Sequence, residues 1–191
     1  MHPLMQAAAA VLAADFVSGA VHWAEDAYAR KDTPIIGKLI ADANIEHHAK
    51  PRAFVARGWL ESSWDLLLVG GAVIAAAWMM DCLTWPIWLF VICAVNANQV
   101  HKWAHSNPRE NGVIVSFLHR IKLLQTQRHH AKHHSGMKDS HYCALTNMLN
   151  PVLDKLGFWR GLERGIEKLF GVKRRPDPTV HVKMKGALAA A

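Results

Sequence analysis

At 191 residues the chain has room for one domain. Hydrophobic residues make up 51% of it while mean hydropathy is only +0.04, so apolar and polar stretches are segregated along the sequence. Three scattered cysteines, Cys82, Cys93 and Cys143, fit neither a disulfide framework nor a zinc finger, and a net charge of +7 leaves nucleic acid or an anionic membrane surface as partner classes.

Three segments are expected to cross a bilayer, each approaching the roughly 20 apolar residues that a span requires. The first, about Leu4 to Trp23, is rich in Ala and interrupted by Asp15, Ser18 and His22. No Lys or Arg precedes it and no convincing small-residue cleavage site follows, so it reads as a retained membrane helix rather than a cleaved signal. The second runs from about Trp64 to Leu83. The third runs from about Trp85 to Gln99 and continues as a polar helix through His105, with Trp85 and Trp88 as interfacial aromatics beside the turn Asp81 to Pro86. Beyond it, Val113 to Gln125 is expected to form a short amphipathic helix. The stretch Gln125 to Tyr142 is rich in histidine and helical until Ser135-Gly136. Pro151 starts another helix, and Gly157 to Phe170 reads as an amphipathic surface helix. Basic residues from Lys173 onward suggest a mobile end. The domain is therefore drawn as residues 1–175, with 176–191 as a tail.

The positions of the basic residues give the topology. All 22 Lys and Arg lie between Arg30 and Arg57 or from Lys102 onward. With an external N-terminus, three spans put every one of them on the cytoplasmic side. The expected class is an all-α, multi-pass membrane protein with a cytoplasmic histidine-rich helical cap. The positive charge then faces anionic lipid, and nucleic acid is not expected as a partner.

Of 13 histidines, 11 fall between His22 and His141. His22 ends the first span, His47 and His48 lie in the inner loop, His101 and His105 end the third span, and His129, His130, His133 and His134 follow. The topology deduced from Lys and Arg alone brings all four clusters to one membrane face. Residues three or four apart share a helix face, so His101/His105 and His130/His133/His134 can each converge on a point. Neutral imidazole is a transition-metal ligand, and eight or nine clustered histidines exceed the three or four that one zinc site uses. His22, His47, His48, His101, His105, His130, His133 and His134 are expected to hold two metal ions and carry catalysis, with His129 a further ligand. Asp26, Glu46 and Asn98 are placed behind them as orienting partners. His2, His119, His141 and His181 read as ordinary polar residues.

Several stretches together resemble the membrane lipid desaturase family that includes Kua, plasmanylethanolamine desaturases, the CarF proteins and the plastid trans-3 phosphatidylglycerol desaturase. They are Phe16 through Trp23, Glu46-His47-His48 through Pro51, Asn98 through His105, and His129 through His134. Downstream, Tyr142-Cys143, Asn150-Pro151 and Gly157-Phe158-Trp159 also match, so the resemblance covers roughly residues 15 to 175. Met137-Lys138 and Ala144-Leu145-Thr146-Asn147 depart from the animal and CarF pattern. The resemblance implies an oxygen-dependent desaturation of a membrane phospholipid chain by two iron ions. It also implies a one-electron donor of ferredoxin or cytochrome b5 type. The expected location is the bacterial inner membrane. The favoured substrate is a 1-O-alkyl phospholipid converted to its vinyl ether. The alternatives are acyl desaturation or hydroxylation near the head group, and a non-catalytic metal-binding protein.

Overall fold

A computed structural model describes residues 2–34, 37–135 and 138–176. Every regular element among them is helical. α1 (Pro3–Tyr28) starts where Pro3 takes the first position and the His2 side chain accepts from the Leu4 N–H at 3.3 Å. After a π-helical turn at Gly37–Ala41 come the short helices α2 (Asp42–Ala49) and α3 (Pro51–Val55). α4 (Trp59–Met79) follows Gly58, and α5 (Trp85–Val95) carries Pro86 in its first turn. α6 (Ala97–His105) continues α5 after a break at Asn96. That residue spends its side chain outside the regular ladder, donating to the Ile92 carbonyl at 2.8 Å and accepting from Trp59 Nε1 at 3.0 Å.

α7 (Pro108–Arg120) is capped by Asn107, which accepts from Arg109 and Glu110 N–H, and it kinks at Gly112. The expected amphipathic helix thus begins five residues early and stops before Gln125, because the cap at Asn107 and a turn at Ile121 fix its ends. α8 (Gln127–His133) is capped by Thr126. α9 (Leu149–Lys155) and α10 (Phe158–Phe170) complete the set. Gly136 and Met137 lie outside the described residues, as do residues 177–191 with most of the expected tail and His181. Arg174 and Arg175, within the end expected to be mobile from Lys173, are held. Arg174 contacts Tyr142 Oη at 2.8 Å and Glu163, and the Arg175 N–H donates to the Ala27 carbonyl at 2.8 Å.

Among the described residues two helices, α1 and α4, are long and apolar enough to cross a membrane. At 1.5 Å per residue they are roughly 39 and 32 Å long, against a hydrocarbon core of about 30 Å. Their outward faces are apolar and bare, with Leu68 66% and Trp78 70% exposed. α5 has 11 residues, or roughly 17 Å, and falls short by itself. The three apolar helices pack side by side. Gly70 permits a close approach of α4 to α5, since a Cβ there would stand 2.7 Å from one Val95 methyl and 3.0 Å from one of Val91.

The cap is tied to α1 by a strap, residues 138–148, that has no regular structure of its own. Many of its backbone groups are nevertheless paired, as burial demands. Fully buried Asp15 accepts from the Leu145 N–H at 2.8 Å, the Thr146 N–H at 3.2 Å and the Thr146 hydroxyl at 2.5 Å. Ser18 Oγ accepts from the Ala144 N–H. From the other side, Gln125 and Asn150 donate to the Cys143 carbonyl, and Asn150 Oδ1 accepts from its N–H. At Gly19 the strap touches the helix backbone, where an added Cβ would meet Cys143 N at 3.0 Å and Cα at 3.1 Å. The two buried clusters follow from this. Trp23, Ala27, Tyr142, Cys143 and Trp159 form one, and Ala14, Ala97, Val100 and Leu145 the other.

Candidate metal centre

Four helices deliver imidazoles to one place. α1 brings His22, α2 brings His47 and His48, α6 brings His101 and His105, and α8 with its C-cap brings His130, His133 and His134. The helical period explains the local part. His101/His105 and His130/His134 are each four apart on one face, and His22/Asp26 are likewise. Within this knot two sets separate. His47, His101, His105, His130 and His134 form one; His22, Asp26, His48 and His133 form the other, and the potential ligand atoms of each set lie within 4.8 Å of one another. The sets abut, with ring centroids 5.0 Å apart for His48 and His134 and 5.3 Å for His22 and His101.

The first set cannot be a hydrogen-bonded cluster. Nε2 of His101 lies 2.8 Å from Nε2 of His130 and 3.2 Å from that of His105, and the latter two are 2.9 Å apart. Nε2 of His134 is 3.0 Å from that of His130. A neutral imidazole offers either one proton or one lone pair at Nε2. In a triangle of three such atoms two must be of the same kind, so at least one contact sets lone pair against lone pair or proton against proton. Nitrogens sharing one ion have no such conflict. Two at roughly 2.0–2.1 Å from a divalent ion and 90° apart are about 2.9 Å from each other, against about 3.4 Å at the tetrahedral angle. The close approach of these nitrogens is what ligands turned to one shared ion would show. His47 gives a second indication: it is buried, and neither ring nitrogen has a hydrogen-bond partner among the described residues. The donor set fits a bound metal.

In the second set the rings are oriented from behind. His22 Nδ1 donates to the Tyr142 carbonyl at 3.1 Å and His133 Nδ1 donates to the Ser140 carbonyl at 2.8 Å, leaving Nε2 of each with its lone pair toward the cluster. Asp26 Oδ1 stands 2.8 Å from His48 Nε2 and accepts from Asn44 Nδ2 at 2.9 Å, while Oδ2 is 3.3 Å from His133 Nε2. Burial lowers the basicity of His47, His48, His130, His133 and His134, and neighbouring imidazoles depress it further. They are held neutral, the form that ligates metal.

The eight principal histidines expected from sequence are brought together. Asp26, expected behind the ligands, stands among them. Two other expected partners, Glu46 and Asn98, and one expected ligand, His129, do not reach the centre. Glu46 turns outward to Arg57 at 3.1 Å, and Asn98 donates to the Ser62 carbonyl at 2.6 Å, joining α6 to α4. His129 faces Asn150, 3.2 Å from its Nε2, and the His141 ring, with centroids 5.0 Å apart. Sequence reasoning missed Asn44 and the Ser140 and Tyr142 carbonyls. A carbonyl carries no side-chain signature, and Asn44 had only its place four residues before His48 to mark it.

The profile of the lipid desaturase domain matches residues 11–177. The chain is 30% identical over 184 residues to plasmanylethanolamine desaturase 1 of Mus musculus, which covers 88% of this chain and 66% of that protein. It is 30% identical over 174 residues to plasmanylethanolamine desaturase of Myxococcus xanthus, covering 87% and 61%. The corresponding values for fatty acid desaturase 4, chloroplastic, of Arabidopsis thaliana are 28% over 178 residues, covering 92% and 55%. The chain thus spans less than two thirds of the length of these three relatives. No solved structure matches it significantly.

Proposed function

The chain belongs to the lipid desaturase family, and from that premise we propose that it is a membrane enzyme that desaturates a phospholipid chain with two histidine-bound iron ions, oxygen and an external electron donor. The observation that carries this reading is the pair of abutting ligand sets. His47, His101, His105, His130 and His134 hold one ion, and His22, Asp26, His48 and His133 hold the second. A redox metal supplies the oxidant for an unactivated C–H bond, which acid–base groups cannot cleave at neutral pH. In the balanced reaction two hydrogens leave adjacent carbons. Oxygen takes them up with two further protons and two electrons and leaves as two waters. The electrons come singly from a ferredoxin or cytochrome b5-type protein, for which the basic inner face offers charge complementarity.

The protein's own residues hold, orient and shield. His130 and His133 are almost fully buried, which keeps water from the reacting centre. Phe54 lies 5.1 and 5.2 Å from the His47 and His101 rings and gives the first ligand set an apolar wall. The bidentate Arg52–Glu110 pair, at 2.6 and 2.9 Å, joins α3 to α7 beside the His105 carbonyl.

In this reading α5 and the start of α6, from Trp85 to about Gln99, make the third span with one break at Asn96, and α6 continues beyond it as a polar helix through His105. The N-terminus is external and the histidine cap cytoplasmic, as the placement of Lys and Arg supports. Reporter fusions at the Asp81–Pro86 turn and at the C-terminus should register on opposite sides of the membrane. Registering on the same side defeats the topology.

The proposed substrate is the 1-O-alkyl chain of an ether phospholipid, converted to the 1-O-alkenyl form. Similarity to two plasmanylethanolamine desaturases supports it. So does a site at the inner ends of α1 and α6, where the first carbons of a chain enter while its head group stays in the polar layer. Membranes containing the protein, supplied with a labelled 1-O-alkyl phospholipid, oxygen and a donor system, should form an acid-labile vinyl ether. Exclusive formation of a desaturated or hydroxylated ester acyl chain would assign the enzyme to acyl-lipid chemistry instead.

A further inference from the structure

One pair of titratable residues outside both ligand sets has no part in the chemistry above. His141 adopts a left-handed backbone conformation, φ 60°, which is uncommon for a non-glycine residue. Asp154, from α9, grips it. Its carboxylate accepts from the His141 backbone N–H at 3.3 Å through both oxygens, and Oδ2 accepts from His141 Nδ1 at 2.7 Å. Ser140 Oγ stands 3.0 Å from the same ring nitrogen. One helical turn earlier on α9, Asn150 holds both backbone groups of Cys143. Two side chains at i and i+4 on a short helix therefore grip the strap on either side of Tyr142.

The two carbonyls that orient ligands of the second set, those of Ser140 and Tyr142, flank His141 directly. A residue in the left-handed region turns the chain sharply, so its two flanking peptides take directions that an extended or helical residue at position 141 would not give them. We infer that Asp154 and His141 form a positioning brace whose work is to aim the Ser140 and Tyr142 carbonyls at His133 and His22. The brace fixes both imidazoles as Nδ1–H tautomers with Nε2 turned inward. Its geometry stands independently of any ion; its consequence for the second ion rests on the two-metal reading above. Removing such an orienting partner typically weakens metal binding 10–100-fold.

The brace makes a graded prediction. Asp154→Asn keeps an acceptor for the His141 N–H, whereas Asp154→Leu keeps none. His141→Gly keeps the left-handed turn without an imidazole, whereas the β-branched His141→Val cannot adopt it without strain. The first readout is the tautomeric state of His22 and His133 in the metal-free protein, from ¹⁵N spectra of labelled imidazoles assigned with His22→Gln and His133→Gln. Asp154→Leu and His141→Val should turn the fixed Nδ1–H pattern of both rings into an averaged one. Asp154→Asn and His141→Gly should retain it. Unchanged tautomers in Asp154→Leu overturn the brace, whatever metal the protein binds. Equal loss in His141→Gly and His141→Val also overturns it, since the imidazole itself would then be the essential part.

The second readout is titration with Co(II). One equivalent should bind at least tenfold more weakly in Asp154→Leu, while the other binds as in the parent protein. Equal weakening of both equivalents speaks for a general structural role and against the brace. A parent protein that shows the fixed tautomers but takes up only one equivalent contradicts the two-ion reading and leaves the brace standing.

Discussion

On the proposed two-iron reading, alanine at His101 or His130 is expected to abolish lipid desaturation and to remove about one of the two iron ions. The Nε2 atoms of both stand at the crowded centre of the first ligand set, 2.8 Å apart, with His105 and His134 drawn to the same point. Loss of one imidazole there opens the coordination of that ion. The second set keeps His22, Asp26, His48 and His133, so its ion should stay. His133→Ala is expected to do the reverse and to spare the first set. Loss of even an outer-shell partner costs 10–100-fold, so turnover should fall by more than about a hundredfold in each case. Elemental analysis of anaerobically purified variants, with turnover on the same preparations, checks both parts. A parent protein holding one zinc and no iron-dependent activity would defeat the metal assignment. Substantial turnover in His130→Ala would remove that residue from the ligand set. His2→Ala is the control and should be nearly silent, because His2 is exposed and only caps the start of α1.

Asp15→Ala is expected to destabilise the protein and to inactivate it from a distance. Asp15 is fully buried and accepts three hydrogen bonds from Leu145 and Thr146. Its removal strands three buried donors at about 1–3 kcal/mol each, so the loss should be at least about 3 kcal/mol. For a domain of this size that corresponds to a fall of roughly 10 °C in the unfolding midpoint. The consequence reaches the metal centre because Leu145 and Thr146 lie on the strap whose Ser140 and Tyr142 carbonyls orient His133 and His22. Asp15→Asn, which keeps one acceptor oxygen, should fall between. Thermal unfolding in detergent and iron content measured together provide the check. An unchanged midpoint in Asp15→Ala would mean that the strap is held without it.

The ligands and the strap were legible in the sequence to very different degrees. Each ligand cluster is local: His101/His105 and His130/His134 repeat at the helical period, and the clusters gather into two adjoining sets in the fold. What sequence periodicity cannot carry is partnership between distant segments. Nothing near His22 indicates that Tyr142, 120 residues away, will receive its Nδ1 proton, or that Asp15 will hold Thr146 across 131 residues. Both contacts are made by a segment without helical repeat, fixed by satisfaction of its buried backbone rather than by apolar patterning.

By itself, then, the sequence determined the helical class, the apolar segments and the eight histidines that gather, because spacing along a helix and the cost of burying charge act locally. Only the tertiary structure decided how those histidines divide into sets of five and three, put Asp26 among the ligands, and turned Glu46, Asn98 and His129 away from them. It also broke the third apolar segment at Asn96. These outcomes depend on which helix faces meet and on where each buried polar group finds its partner. That is a competition settled between segments far apart in the chain.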